Sequence, residues 1–318
     1  MYLRLTLALL ALLATSAAGL AQQVEPYDVP RTAHGHPDFQ GVWATEFLTM
    51  LERPPGVDNL VASPEHAQRL AATIWSQLPD VLDPQVRLDD TRQLAMVQGE
   101  YRTSVIVEPE NGHLPFTQTG LNLAAWSLDR DTQLFDRPDQ RPLVERCLES
   151  FGYPPMRTIP IFLPRQLFQT RDHVVIVTED QVGLRIIRLK GEPPPDRLRS
   201  FGGYSTGHWE GDTLVVRTTH LRDEDPARFV LGRPLLLGRD STITERFTRV
   251  SETELFYQFT VEDDELYTEP WKGEFSMVWH DGPMYEYACH EGNYSMPTIL
   301  IGGRAEAARL AETERDRD

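Results

Sequence analysis

The sequence predicts a mainly β protein. Its C-terminal half reads as an antiparallel meander forming a lipocalin-like barrel or half-barrel, preceded by an N-terminal extension of helix and irregular chain. Three observations carry this expectation. From Leu163 onward, short runs rich in Val, Ile, Thr, Phe and Tyr recur at even spacing. Turn residues separate them. In "ELFYQFTV", Leu255, Tyr257, Phe259 and Val261 alternate with Phe256, Gln258 and Thr260, the period of a pleated strand. A meander of this length leaves edge amides open unless it rolls up, which favours closure.

The elements follow in order. "MYLRLTLALLALLATSAAGLAQ" has an early Arg4, a short apolar run and small residues before Ala18 and Ala21, the layout of a cleaved export signal over 1–21. A Pro- and Gly-punctuated wrap leads into "FQGVWATEF", a first strand. "SPEHAQRLAATIWSQL" is a helix. Ser63 fits the N-cap and Pro64 the first turn, Leu70, Ile74 and Trp75 share a face, and Pro79 ends it. A weaker helix is expected from Thr91 to Gly99. "RTSVIVEPENGHLPF" is a strand and turn, and the Pro-, Asp- and Arg-rich text from there to Pro164 reads as a long irregular insertion. This N-terminal segment, 22–162, is expected to pack on a barrel core over 163–300, with a charged tail over 301–318.

Within the core, "RQLFQTRDHVVIVTEDQVGLRIIRLKGE" reads as three strands. Hairpins follow at Glu210-Gly211-Asp212, at Ser251-Glu252-Thr253 and at Asp281-Gly282-Pro283. The last of these would make Met284 to Glu291 a strand.

The export signal and the absence of any later membrane-length apolar run place the protein in the periplasm or outside the cell, with no membrane span. A formal net charge of −17, from 48 acidic and 31 basic residues, excludes nucleic acid as a partner. No signal for an oligomeric state is present. The two cysteines, Cys147 and Cys289, are expected to be joined in an oxidising compartment. Closing a loop of that length is worth roughly 4–5 kcal/mol by chain entropy. A nucleophilic Cys289 activated by His290 fits poorly, because strand neighbours point to opposite faces.

Five segments, "HPDFQGVW", "RTSVIVEPENGHLPF", "GHWEGDTLVVRTTHL", "TERFTRV" and "YEYACHEGNY", together resemble a large family of exported bacterial proteins, and the likeness runs through nearly all of the chain beyond the signal. That family usually reads "GRWEGDTLVVETTNF", so His208, Arg217 and His220 here replace Arg, Glu and Asn. Val182-Gly183 stands where a His-Asp pair is usual. The departures imply a shifted ligand or a specialised activity. Gly41-Val42-Trp43 also resembles the opening strand of lipocalins.

Candidate chemistry gathers around "MYEYACHEGNYSM". On a strand, Glu286, Ala288 and His290 share one face, with Glu286 and His290 about 13 Å apart, so each needs partners from other strands. The candidate catalytic set is His290, Glu286, His208, His220 and Glu245, a His held by a carboxylate across the barrel wall acting as general acid or base. Candidate substrate contacts are Arg246, Arg185, Tyr257, Trp279, Tyr287 and Asn293. The same residues also make sense as a structural ion-pair network. "HEGNY" lacks a second His, and no two His stand at ligand spacing on one predicted helix or strand, so no metal or other cofactor is expected, a site gathered from the distant His208, His220, His280 and His290 being the alternative. Gly-x-Ser-x-Gly and phosphate-loop motifs are absent from the sequence. Two functions fit. One is a cofactor-independent enzyme (hydrolase, lyase, cyclase or isomerase) acting on a small, partly apolar molecule in the barrel. The other is a non-catalytic periplasmic carrier on the same scaffold.

Overall fold

A computed structural model describes residues 27–77, 92–130, 135–159, 162–180 and 183–315. The expected export signal lies outside the described residues, as do Pro79, Thr91 and Val182. The early strands are β1 Gly41–Thr45, β2 Val61–Ala62, β3 Met96–Val97, β4 Glu100–Arg102 and β5 Ile106–Glu108. Then come β6 Leu163–Gln169, β7 His173–Thr178, β8 Leu184–Arg188, β9 Tyr204–Glu210 and β10 Thr213–Thr219. β11 Ala227–Arg228 and β12 Leu235–Leu236 form a small hairpin, followed by β13 Thr242–Arg249, β14 Glu254–Glu262 and β15 Trp271–Trp279. The helices are α1 Pro64–Gln77, α2 Gln118–Arg130, α3 Cys289–Gly292 and α4 Ser295–Arg315.

Nine strands close into a barrel in the order β1, β6, β7, β8, β9, β10, β13, β14, β15, and β1 pairs back onto β15 through Trp43↔Trp279 and Ala44↔Val278. The half-barrel alternative is therefore excluded. The meander is mixed rather than antiparallel throughout, because β8 and β9 run parallel. Geometry requires it: a closed ring needs an even number of antiparallel junctions, and nine strands with one parallel pair leave eight. A parallel pair also needs a connection long enough to travel back along the strand, and 189–203 supplies it. The barrel draws its first strand from the segment expected to lie outside it, and its last strand ends at Trp279.

Burial follows the strand period. Ile243, Glu245 and Phe247 of β13, with Leu255, Tyr257, Phe259 and Val261 of β14, face inward. One end of the barrel is sealed by the wrap ahead of β1. Trp43 is fully buried, donates through its indole Nε1 to the Phe39 carbonyl at 2.8 Å, and carries the Arg249 guanidinium 5.2 Å above its ring. His36 stacks on Trp209 in the same seal at 5.3 Å. Gly41 takes a φ of +118° under the Trp279 ring, where a Cβ would lie 2.3 Å from ring carbon.

Three further expectations are corrected. The segment expected to be helical up to Gly99 is instead the hairpin β3–β4, turned by Gln98 and Gly99 at positive φ. The insertion before Pro164 contains α2. Its buried face is Gly120, Ala124, Ser127 and Arg130, so close packing of small residues replaces the apolar stripe that periodicity detects. An added Cβ at Gly120 would come within 2.3 Å of the Leu266 carbonyl oxygen. Finally, 284–288 is irregular chain leading into α3, not a strand. β15 is paired with β14 on one edge and with β1 and β5 on the other, so no edge remains for a further strand. Cys289 instead ties this chain to Cys147 (Cα–Cα 5.9 Å). The expected disulfide is present. Among the described residues no helix is long and apolar enough to cross a membrane.

Candidate functional site

The hollow of the barrel is filled. Near the sealed end it is apolar, with Trp43, Leu167, Ile187, Leu214, Val216, Phe247 and Leu255 all buried. Toward the other rim it is polar. Arg185 pairs with Glu245 through both terminal guanidinium nitrogens, one bond being Nη1 to Oε1 at 2.8 Å. The Tyr257 hydroxyl donates to Glu245 Oε1 at 2.7 Å and accepts from the Met156 amide at 2.8 Å. Burial, then the neighbouring Glu245 charge, pushes the Tyr257 phenol well above its usual range. Ser205 and Thr218 share a hydrogen bond at 2.7 Å beside Arg185. Arg165 is fully buried and bonds to the Arg157 carbonyl at 2.6 Å, and burial brings its pKa down to about 10. Between Met156, Phe259 and Phe275 a residual cavity of about 20 Å³ remains.

Of the expected site residues, Glu245, Arg185 and Tyr257 meet, and they meet one another. The imidazoles do not join them. His208 is exposed on the outer face of β9, 3.1 Å from Glu210. Arg246, the strand neighbour of Glu245, also points outward and binds Glu210 at 2.9 Å, because alternation sends it to the opposite face. Both ring nitrogens of His220 are engaged, with Thr219 at 2.8 Å and the Pro194 carbonyl at 3.0 Å. Glu286, Tyr287 and His290 are exposed on the irregular chain and α3. Trp279 is partly exposed at the barrel end and donates to Asp281 at 2.5 Å. Asn293 braces the disulfide, donating to the Glu145 carbonyl at 2.7 Å and lying 3.7 Å from Cys147 Sγ. The expected barrel-centred His/carboxylate site is thus not assembled. Among the described residues no three His, Cys, Asp or Glu side chains are grouped to hold a metal ion.

A different constellation lies at the polar rim. A half-open cleft of about 570 Å³ is lined by Met50, Leu51, Pro54, Pro55, Ile74 and Leu231, with Gln77 at the end of α1. Its polar groups converge on Glu52. Glu52 Oε1 accepts the Leu114 amide at 2.8 Å and faces His113 Nδ1 at 3.6 Å and Arg233 Nη1 at 3.8 Å. The carboxylate is the more buried member and the His and Arg are half-exposed, so their free edges face solvent and cleft. Arg53 forms part of the wall and is locked by the carbonyls of Asp58 at 2.8 Å and Glu110 at 2.7 Å. An apolar floor with a few convergent polar groups is the usual make-up of a small-molecule site.

Sequence reasoning missed Glu52, His113 and Arg233. They come from three distant loops and share no motif. The signal present was local: "ERPPG", "NGH" and "GRP" each put a charged or imidazole side chain beside a turn residue. No protein-family model, no curated protein sequence and no solved structure matches the chain.

Proposed function

We propose that this is an exported, periplasmic or secreted small-molecule binding protein, a divergent member of the bacterial family its motifs resemble, and that its ligand sits in the rim cleft rather than in the barrel. One observation carries the reading: the 570 Å³ cleft joins an apolar floor to the Glu52, His113 and Arg233 cluster, whereas the barrel axis is occupied by buried side chains such as Trp43, Phe247 and Tyr257. The ligand this suits is partly apolar, with a polar group able to bond to a guanidinium or an imidazole. The disulfide supports an oxidising compartment.

The test is a thermal-shift screen of small organic molecules on the mature, oxidised protein, followed by calorimetry. Gln77→Trp narrows the cleft from an exposed position and is expected to weaken any hit at least tenfold. Hits that bind this folded variant unchanged place the ligand elsewhere. A second reading, acid–base catalysis, is favoured by the 3.6 Å approach of His113 to Glu52. It predicts turnover that vanishes in His113→Ala while ligand affinity persists. A carrier shows no turnover in either protein.

A further inference from the structure

A second cavity, of about 230 Å³, shares Leu231 and Gly232 with the cleft. Its wall is mostly apolar, from Leu128, Val144, Phe229, Val230 and Pro234, and four charged side chains reach it: Arg130, Glu145, Glu149 and Arg228. Three of these have ion-pair partners. Arg130 Nη1 lies 2.9 Å from Asp225. Glu145 accepts two bonds from Arg141 at 2.7 Å each. Glu149 accepts from Arg157 and from the Phe229 amide at 3.0 Å.

Arg228 is different. It is 2% exposed, yet its acceptors among the described residues are backbone carbonyls, Asp225 at 2.6 Å and Ala227 at 3.3 Å, both taken by Nη1. Its Nη2 is buried and has no hydrogen-bond partner among the described residues, and the same holds for Arg130 Nε nearby. A guanidinium offers five donors and stays charged at working pH; that of Arg228 lies 6.0 Å above the Phe201 ring with the Glu149 and Asp225 charges nearby, so it has an unused buried donor and no carboxylate bonded to it.

We propose that this cavity binds a small organic monocarboxylate, with the carboxylate on Arg228 Nη2 and the hydrocarbon against Leu128, Val144, Phe229 and Val230. Charge sets the class. With Arg130, Arg141 and Arg157 already matched by Asp225, Glu145 and Glu149, one positive charge remains, which one carboxylate neutralises. A dianion such as phosphate would bring a second negative charge beside Glu145 and Glu149 and leave the apolar wall unused. A net charge of −17 also disfavours loose anion adsorption over the surface, so saturable carboxylate binding requires a built site.

Calorimetry on the full mature, oxidised protein tests this with octanoate and benzoate against the uncharged octanamide and benzamide. The expected result is one-to-one binding of at least one carboxylate, at least tenfold tighter than its amide, with at least a tenfold loss in Arg228→Met. Should that variant fail to fold, the acid-against-amide comparison on the natural protein still decides. Absence of saturable binding by either carboxylate, equal affinity for acid and amide, or unchanged affinity in folded Arg228→Met each overturns the proposal. Gln77→Trp separates this site from the cleft: carboxylate binding retained in that variant supports the second cavity, and binding lost with the cleft narrowed overturns it.

Discussion

Removing the Glu245 carboxylate measures what the polar layer of the barrel contributes. Glu245 is fully buried, and Arg185 on β8 is 3% exposed. In Glu245→Ala the guanidinium loses both carboxylate bonds, and the Tyr257 hydroxyl loses its acceptor while still accepting from Met156. Breaking a buried pair from one side costs about 3–5 kcal/mol, because the remaining charge stays desolvated. Against a total stability of about 5–15 kcal/mol, that is a large fraction. Removing both charges is different: Arg185→Met with Glu245→Leu leaves no orphan ion, and such replacements are often neutral or stabilising. Urea titration followed by tryptophan fluorescence, with the disulfide intact, reads Glu245→Ala, the singles Arg185→Met and Glu245→Leu, and their double. The expected coupling in the double-mutant cycle is about 3 kcal/mol or more. A Glu245→Ala variant within about 1 kcal/mol of the natural protein, or a double variant as unstable as the worse single, refutes the assignment of this pair as a structural clamp.

Three further outcomes follow from other parts of the molecule. Replacing Cys147 and Cys289 by Ser opens a loop spanning 142 residues and is expected to cost roughly 5 kcal/mol by chain entropy; an unchanged urea midpoint would mean the loop is held without the bond. Burial raises the Asp180 carboxyl, against the opposing Phe151 amide and Ser150 hydroxyl bonds. Its contribution to stability is therefore fully present below the ordinary aspartate value of 3.8 and is lost as pH rises through the higher folded value. Relative to Asp180→Asn, the natural protein should gain stability as pH falls from neutral toward that window, and parallel pH profiles would contradict the argument. Gly120→Ala should detach α2 from the 263–270 connection, because the new methyl meets the Leu266 carbonyl, and it should accelerate amide exchange along α2 more than in the barrel; uniform exchange would count against local loosening.

The strands were legible because alternation is a local property. Leu255 to Val261 declares its inward face, and so does Ile243 to Phe247, which turns Glu245 inward by alternation alone. The same logic applies to β9, where Ser205, Gly207 and Trp209 face in and His208 must therefore face out. At His208 residue type and strand parity disagree: an imidazole suits a site, but its position on β9 turns it outward. Closure was harder to read. That β15 runs out of edges, so that 284–291 has nothing to pair with, depends on where β1 and β5 dock, and both lie far upstream. The parallel β8–β9 junction is a consequence of the strand count around the ring. The cleft was least legible of all, since Glu52, His113 and Arg233 approach only after three loops settle on the rim.

The rim itself explains why candidate sites collect there. Strand ends at the sealed face are joined by tight turns, such as Gly211-Asp212, that satisfy their own backbone. At the other rim the connections are long, and long connections carry backbone carbonyls that need donors. Guanidinium groups supply them. Arg53 serves Asp58 and Glu110, Arg157 serves Ser150 and Phe229, and Arg165 serves Leu163 and Arg157. Lysine would do this poorly, as a compact and strongly hydrated charge, and the chain has lysine only at 190 and 272 among its 31 basic residues. Arginine used this way fixes irregular chain without a carboxylate for every charge. Among the described residues, buried Arg53, Arg130, Arg141, Arg157, Arg165, Arg185 and Arg228 stand against buried Glu149, Asp225, Glu245, Asp263 and Glu274. The less buried Glu52, Glu145 and Asp180 add their carboxylates to this rim, each held by a hydrogen bond there. The cleft lined by Arg53 and the cavity lined by Arg130 and Arg228 both open among these guanidinium-braced connections.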